Sequence, residues 1–140
     1  MYDQPSIAEL VGAVRDFIEQ HAMSKLEGHT AFHARVAVNA LGIVQRQLEL
    51  GPTAEEAERE RLAGLLGMDG DLEALNRELC RRIRAGETGI EDEALTKHLW
   101  RTTLDKVAVD QPKYESYRRA VERERGQGPK ELNAEVAEKR

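Results

Sequence analysis

HTAFHARVAVNALGIVQRQLELG, residues 29–51, is the stretch on which the fold turns. At about 100° per residue, Phe32, Val36, Ala37, Ala40, Leu41, Ile43, Val44 and Leu48 cover about half of a helical circumference. Ala31, Val38 and Gly42 widen the arc, leaving Arg35, Asn39 and Arg46 as a narrow polar wedge. A helix apolar nearly all round is either the centre of a bundle or is covered on a second face by another subunit. The pattern predicts a central helix over about 29–50, ended by Gly51 as a left-handed cap and by Pro52, which blocks continuation.

Upstream, Ser6 and Glu9 have capping-box spacing, and Ile7, Leu10, Val11, Val14, Phe17 and Ile18 share one arc of a helix reaching about Met23. Downstream, Thr53 with Glu56 predicts the start of a third helix running to Gly67 through the charged AEEAERER. Its short patch of Leu62, Leu65 and Leu66 reads as the weakest contribution to the core. Asp69 or Asp71 caps a fourth helix with Leu72, Leu75, Leu79 and Ile83 in one stripe. A fifth spans about Glu91 to Asp110, with Leu95, Leu99, Trp100, Thr103, Leu104 and Val107 on one side. Pro112 resets the chain for a short sixth helix bearing Tyr114, Tyr117 and Val121. Short connections favour antiparallel neighbours. The expected fold is therefore all-α: a compact bundle of about five to six antiparallel helices around the central one, as a single domain over 1–125 with a loosely held tail over 126–140.

Composition narrows the chemistry. The 140 residues carry 26 acidic and 21 basic side chains, mixed along the chain to a net charge of −5, which argues against nonspecific nucleic-acid binding. A lone cysteine, Cys80, excludes an internal disulfide or a multi-cysteine zinc site; it reads as a partly buried helical residue in a reducing compartment. No basic-then-apolar leader and no long apolar run is present, so a cytoplasmic protein without membrane association is expected. Dinucleotide, P-loop, nucleophile-elbow and kinase signatures are missing, as is the ExxH pattern of helical di-iron sites.

His29 and His33 stand one helical turn apart, the spacing at which two imidazoles can share a metal. Thr, Ala and Phe lie between them, the Glu of a zincin motif is missing, and neither His21 nor His98 supplies a clear third ligand. His98 falls toward the polar side of its helix. No metal or other cofactor is expected. His33 bisects the apolar arc and so reads as a neutral, hydrogen-bonded core histidine, with a place in a small central pocket as the sharper alternative. The wedge poses a different problem. Whatever covers Arg35, Asn39 and Arg46 must satisfy guanidinium donors, which calls for an internal or intersubunit carboxylate or for an anionic ligand. Arg77, Arg81 and Arg84 form another stripe, but Glu73 and Glu78 beside it point to a solvated face.

The segments MYDQPSIAELVGAVRDFIE, GHTAFHARVAVNALGIVQRQLELG and LTKHLWRTTLDKVAVDQPKY carry a resemblance over about residues 1–121. They resemble a family of small bacterial all-helical proteins grouped as a domain of unknown function, and FHARVAVNAL and KVAVDQPKY are the most specific parts. Genes of that family lie beside acyl-CoA dehydrogenases and kinases similar to aminoglycoside phosphotransferases. The resemblance implies an association with such enzymes and transfers no catalytic residue. It directs attention to Phe32, His33, Arg35, Asn39 and the QPKY segment.

Two functions follow as expectations. One is a noncatalytic accessory or interaction module that binds a neighbouring enzyme or a second copy of itself as a homodimer. The other is a binder or enzyme for an acyl-CoA or nucleotide-like anion, with its site at His33, Arg35, Asn39 and Arg46. The second requires those polar groups to converge on a pocket, whereas the first requires an uncovered apolar surface.

Overall fold

The computed structural model describes residues 4–126, and every regular element among them is helical. Five α-helices follow one another: α1 (Ile7–Phe17), α2 (Gly28–Leu66), α3 (Leu72–Arg84), α4 (Glu93–Asp110) and α5 (Glu115–Gly126). Of the tail expected over 126–140, Gly126 closes α5 and the rest lies outside the described residues.

The Ser6 capping box forms as its spacing predicts. Ser6 Oγ accepts the Glu9 N–H at 3.2 Å, and the Glu9 carboxylate accepts the Ser6 N–H at 2.7 Å. Beyond Phe17 the helix widens into a π-turn over Ile18–Ala22 and then tightens into a 3₁₀ turn over Met23–Lys25. Gly28, at φ 55°, turns the chain into α2.

The central helix is longer than its sequence suggests. Instead of stopping at Gly51–Pro52, α2 runs for 39 residues, about 58 Å at the usual rise. Gly51 is not among the glycines of positive φ; the left-handed cap is Gly67, at φ 67°, whose N–H donates to the Ala63 carbonyl at 2.9 Å. The expected second and third helices are therefore one, and five helices replace six. Thr53 lies in the helix interior, and Glu56 bonds Arg59 at 2.7 Å rather than boxing a cap. An interior proline costs about 3 kcal/mol. Tertiary ties to α4 on both sides of it offset that cost: Arg46 Nε donates to the Val109 carbonyl at 2.6 Å, and Arg61 reaches Asp105 at 3.5 Å.

Asp71 caps α3 by accepting the Ala74 N–H at 2.7 Å, and Asp92 caps α4 by accepting from Ala94 and Leu95. Those N–H bonds, strongest from Leu95, hold the Asp92 carboxyl below its ordinary pKa, as does the Thr88 hydroxyl.

The core sits where α3 and α4 meet the last turns of α2. It consists of Leu62, Leu66, Leu75, Leu79 and Leu95, so the patch expected to be weakest supplies the centre. The first half of α2 packs differently. Gly12 of α1 lies against Gln45, and Arg15 Nη1 donates to Gln45 Oε1 at 2.7 Å, with α1 antiparallel to α2. The buried residues in α1 and in α2 as far as Gly51 are Gly12, Ala31, Gly42 and Gly51. Only small residues are fully buried here; the large apolar side chains are at most half-buried.

Candidate functional site

The histidines exchange places relative to expectation. His33 is exposed, and its Nε2 lies 3.1 Å from Nε2 of His29, the rings meeting edge to face. The middle of the apolar arc thus faces solvent, and the neighbouring Phe32 is 54% exposed. The buried histidine is His98, only 4% exposed although it was expected on a polar side. Burial first, and then the Arg61 charge, pushes its pKa down, with Glu58 opposing and Lys106 reinforcing. Its Nδ1, Thr102 Oγ1 and Arg61 Nε are buried with no hydrogen-bond partner among the described residues. The stripe read from the sequence holds at Leu95 and Leu104 but is rotated elsewhere: Leu99, Trp100 and Thr103 are exposed, whereas His98, Thr102 and Val109 turn inward.

His29 and His33 remain a pair. Among the described residues, no group of three or more His, Cys, Asp or Glu side chains is arranged to hold a metal ion. Two arginines of the α3 stripe are engaged by carboxylates, Arg77 by Glu73 at 3.0 Å and Arg81 by Glu78 and Glu87, and Arg84 is exposed. Hydrogen bonds from Arg81 and Arg82 pull the Glu78 carboxyl down to about 2. Cys80 is exposed rather than partly buried.

Asn39 and Arg46 do come together, in an open groove of about 730 Å³ between the α1–α2 pair and the α4–α5 connection. Its far wall is Asp110, Gln111, Pro112, Lys113 and Tyr114, turned back by a Tyr114 N–H to Gln111 carbonyl bond of 2.9 Å. The QPKY turn faces Asn39 and Arg46 across this groove and leaves Arg35 outside it. His33 and Arg35 are exposed and do not line the groove; Arg15 of α1 and Glu19 of the following π-turn do. Arg46 spends its Nε on the Val109 carbonyl, and among the described residues no carboxylate pairs with it. Arg15 is held by Asp16 and Gln45. The groove thus mixes Arg15, Arg46 and Lys113 with Glu19 and Asp110, and it presents the half-exposed Tyr114 ring. Lys113 and Tyr114 belong to the QPKY segment that the resemblance singled out, whereas Arg15 was not marked by the sequence, since it lies far from the wedge in the chain and only the fold brings it to the groove.

The opposite side of the same hairpin is apolar. With Gly12 and Arg15 anchored at Gln45, helical periodicity puts Ile7, Leu10 and Val14 on the side that carries Ala37, Leu41, Val44 and Leu48. Ile7 and Val14 are each 53% exposed, Leu10 44%, Val44 46% and Leu48 38%. Val11, Ile18 and Leu41 line the seam half-buried. No Asp, Glu, Lys or Arg interrupts the α2 side of this face from Ala34 to Gly51. Nothing among the described residues covers it: α3 packs on the C-terminal half of α2, and the end of α4 lies on the groove side.

Comparison with known proteins gives one match. A family model described as a domain of unknown function (DUF6285) matches residues 24–114, which takes in α2, α3, α4 and the groove wall through Tyr114. No curated protein and no solved structure gives a significant match.

Proposed function

We propose, for a chain that belongs to the DUF6285 family of unknown function, a noncatalytic interaction module whose working surface is the apolar face of the α1–α2 hairpin. The observation that carries this reading is the uncovered row of Ile7, Leu10, Val14, Val44 and Leu48, beneath which no large side chain is buried. A helix layer with an apolar face is stable in water when another layer covers it. The sequence resemblance supplies the class of enzyme to test as a partner: an acyl-CoA dehydrogenase or a kinase similar to aminoglycoside phosphotransferases. Co-purification with such enzymes, and sizing with and without them, tests the module. Val14→Glu should abolish the association with the helical spectrum unchanged. Absence of any complex, with an enzyme or with itself, would refute the reading.

A second reading is favoured by Arg46, whose terminal guanidinium nitrogens face the groove without a carboxylate, beside Asn39, Lys113 and Tyr114. An anionic group of an acyl-CoA or nucleotide would satisfy them. His33 and Arg35 lie off this groove and enter only if the ligand extends along α2. Lys113→Ala, at an exposed position, should abolish a thermal shift produced by coenzyme A at unchanged intrinsic stability. If coenzyme A and ATP leave the melting temperature of the unaltered protein unmoved, the groove is not such a site.

A further inference from the structure

We infer that the occupant of the apolar face is a second copy of this chain, with two α1–α2 hairpins meeting face to face as a four-helix bundle. The inference rests on the interaction-module reading of that face and names its partner.

Area is the first argument. Ile7, Leu10, Val14, Val44 and Leu48, with the exposed parts of their half-buried neighbours, leave roughly 500 Å² of apolar surface, close to the apolar share of the about 800 Å² each partner gives a stable dimer. Charge is the second. A chain of net charge −5 repels its own kind at long range, and the charge-free stretch along α2 is where two copies can meet without burying an unpaired ion. Symmetry is the third: a two-helix layer apolar on one side is complementary to itself under a two-fold rotation, and layer on layer gives a four-helix bundle.

The layer also needs the contact. Its own buried residues, Gly12, Ala31, Gly42 and Gly51, contribute little apolar area, whereas the leucine core lies at the other end of α2. One competing intramolecular occupant is the segment after Gly126, QGPKELNAEVAEKR. Leu132 and Val136 are its large apolar residues, too few to cover a face of this size.

Sedimentation equilibrium of the full chain, from low to high micromolar concentration, tests the inference. We expect twice the 15.8 kDa chain mass, a melting temperature that rises with protein concentration, and a monomer for Val14→Glu and for Val44→Glu. Ile90→Glu, at a position 84% exposed and away from the face, should leave the dimer intact. Should the glutamate variants lose their helical spectrum, the concentration dependence of the unaltered protein still decides. A monomer throughout overturns the inference. So does a dimer that survives both glutamate variants, or one lost only when Leu132 and Val136 are replaced by glutamate. If the chain is monomeric yet captures a partner enzyme in a Val14-dependent way, the second copy is refuted and the interaction module stands. If Val14→Glu alters neither association, both fall.

Discussion

Before Pro52, α2 is the most apolar stretch of the chain and buries mainly glycine and alanine; after it, α2 is dense with Glu and Arg and buries Leu62 completely. The contrast separates two properties that hydropathy confuses. Apolar content measures how much surface a helix could bury, and packing decides how much its own chain does bury. In the charged half, Leu62 and Leu66 are one turn apart and meet Leu75, Leu79 and Leu95 from two other helices, so a few residues suffice. The apolar half packs along α1 with only small residues fully buried, and the end of α4 touches it on the polar side, at Arg46.

The contrast is broken most severely at the core. Leu62→Ala should cost about 2–5 kcal/mol, read from urea unfolding, because a fully buried leucine leaves a cavity between three helices. Phe32→Ala in the other half, at a ring 54% exposed, should stay within about 0.5 kcal/mol. Equal losses would mean that the two halves are packed alike.

Pro52 itself comes next. Where it lies inside a continuous helix, Pro52→Ala should restore the bond to the Leu48 carbonyl and gain about 2 kcal/mol, after allowing for the stiffer unfolded chain that proline provides. If Pro52 began a separate helix, the same change would lose stability. The sign of the change in urea midpoint is therefore a direct test of the single 39-residue helix.

How much of this was legible follows from the same division. The all-helical class, the Ser6 box, the α3 cap to within Asp69 or Asp71 and the α4 span to within two residues were readable, since they rest on residues a few positions apart. Continuity through Gly51–Pro52 was not, because local rules correctly register the penalty and cannot see the Arg46–Val109 and Arg61–Asp105 ties that offset it. Periodicity also located the apolar arc around His33 but not which side of it would be covered, so His33 was assigned to the core and His98 to the surface. In the groove, Asn39 and Arg46 were visible as a wedge, whereas Arg15 joins them only through the fold.

A smaller effect compares the helix starts. Asp92→Ala removes acceptors for the Ala94 and Leu95 N–H groups and should cost about 1 kcal/mol. Glu27→Ala should cost little, since the Glu27 side chain makes no capping bond at the start of α2. A comparable loss at both, seen as equal shifts in melting temperature, would show that the start of α2 is held as firmly as that of α4.

The finest test uses pH and bears on the buried end alone. His98 is kept neutral in the fold by burial and by the Arg61 charge, so its pKa lies below the ordinary 6.5, whereas in the unfolded chain it protonates near that value. As pH falls below about 6.5 the unfolded state therefore binds more protons than the folded one, and stability declines until the folded pKa is reached. The carboxylates act lower. Glu56, Glu78 and Asp92 are held below their ordinary values, by Arg59, by Arg81 with Arg82, and by the α4 N–H groups, so their stabilisation is present above those values and fades only as pH falls beneath them. Between pH 7 and 5 the melting temperature should fall, and His98→Gln should flatten that slope while leaving the loss at lower pH. A flat profile in the unaltered protein would mean that His98 accepts a proton inside the fold as readily as outside it, through water reaching its unpartnered Nδ1, and the division between a dry end and an open end of α2 would no longer hold.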